Sequence, residues 1–84
     1  MSEVREGTML VLSHKGSREF LTLPQERRLE YLQTQVGGYI EMHRLDDEHY
    51  CVVNEEGRLK GLPRNPYFPE FVGNVVIIRS DDLD

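Results

Sequence analysis

Glu41, His43 and Cys51 are the residues of this 84-residue chain whose types could together do covalent or metal chemistry. A thiolate beside an imidazole attacks carbonyl carbon, and a carboxylate, an imidazole and a thiolate are also zinc ligands. Two of them lie in the segment 39–45 and the third in 49–54, runs that alternate apolar and polar residues with the period of a strand. If Asp46, Asp47 and Glu48 form a three-residue tip, Met42 faces Val52, Arg44 faces Tyr50 and His43 faces Cys51, so the three groups share one sheet face. Ile40, Met42, Val52 and Tyr50 then gather on the other, buried face. A catalytic pair also requires an orienting group, an oxyanion site and a pocket, and no residue pattern supplies them. The preferred reading is structural, with Cys51 a small buried hydrophobe and no catalytic residue or metal ligand expected.

The second constellation is the segment 54–67, which carries Asn54, Lys60, Arg64 and Asn65 between turn-forming residues. Loops longer than about 12 residues inside a compact domain often have a function. Lys60 and Arg64 offer charge, Asn54 and Asn65 directional hydrogen bonds, and Tyr39 and Tyr67 aromatic surface at the flanks. Tyr39, Asn54, Lys60, Arg64, Asn65 and Tyr67 are thus the expected ligand- or partner-binding set. The opposing reading gives Asn54 to the turn at Gly57, Asn65 to the bracing of the loop, and Leu59 and Leu62 to the core. His14 and His49 fall at a loop and a strand end and read as solvated side chains.

The elements that position these groups follow from periodicity and punctuation. The apolar runs 8–12 and 20–23, separated by the turn residues 13–17, predict a hairpin. Pro24 suits a first helical turn, and the stripe Leu29, Leu32 and Val36 predicts a helix over 25–36 that Gly37 and Gly38 terminate. Residues 59–71 contain Gly61, Pro63, Pro66 and Pro69, too much punctuation for a regular element, although a short pairing by Arg58 and Leu59 is compatible with it. Four consecutive apolar residues, Val75 to Ile78, predict a strand buried on both faces, hence central. The fold class is α+β: a mainly antiparallel sheet of about five strands, in the order β-β-α-β-β-loop-β, with one helix packed on one face. So short a helix cannot cover five strands. Either Tyr67, Phe68 and Phe71 of the loop close the remainder or a second subunit does. Residues 1–84 are expected to form a single domain with flexible tails at about 1–6 and 80–84.

Leu32-Gln33, the run Val36-Gly37-Gly38-Tyr39-Ile40-Glu41, the turn Asn54-Glu55-Glu56-Gly57, the loop Leu62-Pro63-Arg64-Asn65 and the run Gly73-Asn74-Val75-Val76 resemble the motifs of a small domain-of-unknown-function family of bacteria, phages and mobile elements. The resemblance covers roughly residues 29–79. It implies a fold and a genomic neighbourhood, and it brings no activity and no catalytic role to any position. Pro66 and the proline-rich stretch around it depart from the more polar continuation of many members.

Composition narrows the function classes. The chain is 38% apolar and 30% charged, as a globular domain is. A net charge of −5 disfavours binding to phosphate backbones, so nucleic acid is not an expected partner. Fifteen carboxylates interleaved with ten Lys and Arg read as a solvated acidic surface better than as a DNA mimic. The longest apolar run is far short of the about 20 residues that span a bilayer, so no membrane contact is expected. The first residues lack a secretory pattern, and a lone cysteine fits a reducing compartment, so the cytoplasm is the expected location. No cofactor is implied. These features predict a non-enzymatic binding or regulatory module that works by protein–protein contact through its open sheet face and the 59–71 loop, forms a homodimer, and serves a phage or mobile element. The alternative is a small-ligand protein that holds a nucleotide-like anion with Tyr39, Lys60, Arg64 and Asn65. A Cys51-dependent enzyme is a third.

Overall fold

The computed structural model describes residues 3–83. In chain order the elements are β1 (Thr8–Leu12), β2 (Arg18–Thr22), α1 (Arg28–Val36), β3 (Ile40–Arg44), β4 (His49–Asn54), β5 (Val75–Arg79) and a 3-10 turn at Ser80–Leu83. The strands form one antiparallel sheet in the order β2-β1-β5-β4-β3, and α1 packs across β3, β4 and β5 on one face. This is the predicted α+β architecture, with its strands in the predicted order.

β5 is central because it can bury both faces. Val75, Val76 and Ile78 are 0% exposed; Val76 and Ile78 meet α1 through Leu32 and Val36, while Val75 and Ile77 enter a second cluster on the opposite side. The β3–β4 register also matches the alternation: Met42 pairs Val52, His43 pairs Cys51 and Arg44 pairs Tyr50. The Leu45 N–H donates to the His49 carbonyl at 3.0 Å, which closes the three-residue tip. The Asp46 carboxylate accepts the Glu48 N–H at 2.8 Å and meets His49 Nδ1 at 2.8 Å, and these contacts, the Glu48 N–H foremost, hold the Asp46 carboxyl below its usual range. His49 is therefore not the solvated side chain expected; its ring, 11% exposed, is held by the tip.

The helix differs from expectation at its start. Arg27 takes a left-handed conformation (φ 59°), which turns the chain, so α1 begins at Arg28 and Pro24 stays outside it. The Arg28 guanidinium reaches back to the Pro24 carbonyl and across to the Asp82 carbonyl. Leu29 lands in the first turn and is 54% exposed, so Leu32 and Val36 carry the buried stripe without it. The end is as predicted. Gly37 has φ 80°, and the N–H groups of Gly37 and Gly38 both donate to the Gln33 carbonyl. Two further terminal carbonyls are satisfied from the sheet side: Asn54 Nδ2 donates to Val36 O at 3.1 Å and Asn74 Nδ2 to Gln35 O at 2.9 Å.

The second face of the sheet is closed by the chain itself. The segment 55–74 folds over it and packs Phe68 and Phe71 on Leu10, Leu12, Cys51, Val53, Val75 and Ile77. Tyr67 does not share this role: it is 42% exposed, and its hydroxyl donates to the Gly16 carbonyl of the β1–β2 turn. Arg58 and Leu59 form no strand pairing; they lie in a turn, and the loop contributes one isolated bridge, Arg64 to Val72. Parts of the expected tails are packed as well. Val4 is 5% exposed within the second cluster, and Asp82, 6% exposed, accepts the Gly7 N–H at 3.0 Å. Met1, Ser2 and Asp84, expected in the same tails, lie outside the described residues.

Candidate functional site

The six residues of the expected binding set divide into two groups. Asn65 is 0% exposed: its Nδ2 donates to Leu12 O and Gly73 O, both at 2.9 Å, and its Oδ1 accepts the N–H groups of Tyr67 and Phe68. Two donors and two lone pairs are the whole capacity of a primary amide, so Asn65 has nothing to offer a ligand. Asn54, 6% exposed, joins the helix end to the turn that follows β4, since its Oδ1 accepts the Glu56 N–H at 2.8 Å. Both asparagines match the opposing, structural reading of the loop. Arg64 is exposed beside Asn65, and Tyr67 is tied to the β1–β2 turn. Tyr39 and Lys60 sit elsewhere, at the C-terminal end of α1. With Gln33, Gly38 and Glu56 they line a depression of about 200 Å³, and neither Arg64 nor Asn65 takes part in it. A Cβ at Gly38 would stand 3.0 Å from Asn54 Nδ2 and 3.1 Å from Lys60 Nζ, so a bare backbone there lets the 55–61 turn close on the helix end.

A cleft of about 220 Å³ separates β3 from this turn and the loop beyond it. Glu41 and His43 line its sheet side, Arg58 and Leu59 its turn side, and Glu70 and Phe71 its loop side. His43 Nε2 meets Glu41 Oε2 at 2.6 Å, and its ring tilts onto Phe71 with centroids 4.8 Å apart. Arg58 donates to the Glu70 carbonyl at 3.1 Å, which clips the turn to the loop.

Cys51 faces the same side as His43, as the register predicts, but it is 1% exposed beneath the loop. Burial, aided by the charges of Glu70 and Asp46, pushes its thiol up from 9.0 to about 11. A thiol so placed stays protonated near neutrality, the reverse of what a nucleophile or a metal ligand needs. No group of three or more metal-ligating side chains forms among the described residues.

Leu59 is the feature that sequence reasoning misplaced. The opposing reading sent it to the core with Leu62. Leu62 does pack inward, against Gly57 and Gly73, while Leu59 is 86% exposed. Its flanking charges, Arg58 and Lys60, are the available signal that this position of the turn faces water.

A five-stranded antiparallel sheet covered on one face by a helix and on the other by a Gly- and Pro-punctuated loop defines a small α+β domain. Residues 7–84 match the model of a family described as Domain of unknown function (DUF3846), and the chain belongs to that family. No curated protein and no solved structure matches the chain.

Proposed function

We propose that this chain is a non-enzymatic binding module that acts by protein–protein contact, with the 55–61 turn as its contact surface. The observation that carries the reading is Leu59, 86% exposed on a braced turn. Backbone bonds from Gly57 to Asn54 O, Lys60 to Glu56 O and Leu62 to Gly57 O fix the turn's course. Bracing matters because a turn whose backbone is already ordered loses little backbone freedom on association. A single exposed leucine is ordinary on any surface. One presented beside an open cleft and flanked by Arg58 and Lys60 has the arrangement of an anchor with a polar rim. The setting implied by the family resemblance is that of a phage or mobile-element accessory protein acting on a host protein in the cytoplasm. Affinity capture from host extract with the unaltered chain and with Leu59→Asp tests the reading. A partner retained by the first and reduced at least about tenfold by the second supports it. Equal recovery of every bound protein, with unchanged circular dichroism, refutes it.

A second reading rests on Tyr39 and Lys60, which share one depression beside the helix end. An aromatic face and an ammonium suit a nucleotide-like anion. A panel of nucleotides that raises the Tm of the unaltered chain but not of Lys60→Ala supports this reading, and an unmoved Tm at millimolar ligand refutes it.

A further inference from the structure

We propose that the free edge of β3 is a self-recognition surface, joining two copies of this chain about a two-fold axis at Met42 into one ten-stranded sheet. The inference goes beyond the role proposed for the 55–61 turn and rests on a different element.

β3 ends the sheet, with β4 on one side of it. The bonds from Leu45 N–H to His49 O and from Glu55 N–H to Tyr39 O identify 39 and 45 as residues whose backbone groups face β4. The alternation of an antiparallel ladder gives 41 and 43 the same orientation. Ile40, Met42 and Arg44 therefore point their N–H and C=O groups outward, and no turn or loop bond takes them up among the described residues.

Read along that edge, the sequence is its own complement. With Met42 opposite Met42 of a second copy, Ile40 and Arg44 face each other at hydrogen-bonded positions. Glu41 then faces His43 and Tyr39 faces Leu45 at the closer, non-bonded positions, where side chains interact most. The Glu41 and His43 side chains, 47% and 41% exposed and already 2.6 Å apart within one chain, would form an alternating ring of two carboxylates and two imidazoles. Tyr39 and Leu45, 67% and 43% exposed, flank β3 at its two ends and would be brought opposite each other by the same register. Moving the axis to Glu41 sets carboxylate against carboxylate, and moving it to His43 loses both cross-strand Glu41–His43 contacts, so these pairs favour the register about Met42.

The other edge lacks this property. On β2 the bonds Ser13 N–H to Ser17 O and Leu23 N–H to Gly7 O turn Arg18, Phe20 and Thr22 outward. Self-pairing about Phe20 would set Glu19 against Leu21, and Arg18 is already held by Glu3. β3 also carries neither Pro nor Lys, the usual means of blunting an edge.

Sedimentation and light scattering on the unaltered chain, from about 10 to 500 µM because a five-residue edge is a small contact, should show mass rising from 9.8 kDa toward twice that value. Arg44→Pro removes one outward donor from each copy on an exposed residue, and His43→Glu gathers four carboxylates. Each is expected to weaken association at least about tenfold, and the exchange Glu41→His with His43→Glu should restore it to within about threefold. Amide hydrogen exchange reads the same claim without a variant: Ile40, Met42 and Arg44 should become protected as concentration rises. A single-chain mass throughout, a dimer in which those amides exchange freely, or a dimer indifferent to Arg44→Pro and His43→Glu overturns the proposal. Leu59→Asp should leave the dimer intact. Dissociation by that variant would move the interface to the 55–61 turn and overturn the pairing through β3.

Discussion

At the scale of single residues, burial decides what each polar group can do. Cys51 has the type of a nucleophile and the environment of a core residue, and its thiol titrates at about 11 in place of 9.0. The sign of the linkage follows. The unfolded chain releases this proton from pH 9 upward while the folded chain holds it, so the group's contribution to stability is complete below pH 9 and is lost as pH rises toward 11. The denaturation midpoint of the unaltered chain should therefore fall more steeply between pH 8 and 10 than that of Cys51→Ala, by a difference worth about 1 kcal/mol. Parallel pH profiles would show that the thiol is not desolvated. Asn65 makes the same point for hydrogen bonding, since a residue that looks like a ligand contact in the sequence has all its donors and acceptors engaged by the loop it holds.

At the scale of elements, α1 shows which contacts hold a helix on a sheet. Leu32 and Val36 are each 5% exposed against β4 and β5, whereas Leu29 is 54% exposed one turn earlier. Leu32→Ala should cost about 2–4 kcal/mol through lost burial and an unfilled cavity, and Leu29→Ala should stay within about 0.5 kcal/mol, both measured by urea unfolding. Comparable losses would place the helix origin before Arg28. The contrast also marks how far the sequence could be read. Register in the β3–β4 hairpin was legible because period-two alternation and a three-residue tip admit one pairing, and the central place of β5 followed from its unbroken apolar run. The helix start was not legible, because it depends on Arg27 entering a left-handed conformation that no residue type announces there. Within the loop, composition marked Phe68 and Phe71 as cover, but the outward facing of Leu59 depends on how the turn is bonded to itself. The candidate site was legible as a segment and illegible as a geometry, since the residues that share a cavity, Tyr39 with Lys60 and Glu41 with Arg58, lie on different elements.

At the scale of the whole molecule, the topology brings the segments that flank β1 and β5 together. β1 and β5 are antiparallel with Leu10 opposite Ile77, so the chain entering β1 and the chain leaving β5 emerge at the same end of the sheet. Asp82 uses this proximity: its Oδ2 accepts the Gly7 N–H at 3.0 Å, its Oδ1 lies 3.9 Å from the Arg28 guanidinium, and its carbonyl accepts from the same arginine. One residue thereby links the strand entry, the strand exit and the first turn of α1. A charged group in so small a domain raises stability only if its partners compensate for lost hydration, and with side-chain exposures of 7% for Asp82 and 19% for Arg28 the pair is buried enough for that balance to matter. Asp82→Ala removes the acceptor from Gly7 and the carboxylate from beside Arg28, and should lower stability by about 2–3 kcal/mol. Asp82→Asn keeps an acceptor for Gly7 and removes only the charge, so it should recover roughly half of that loss. Chemical denaturation of both variants separates the two contributions. If Asp82→Ala falls within about 0.5 kcal/mol of the unaltered chain, the link is a contact without energetic weight, and the ends of β1 and β5 are held by the sheet alone.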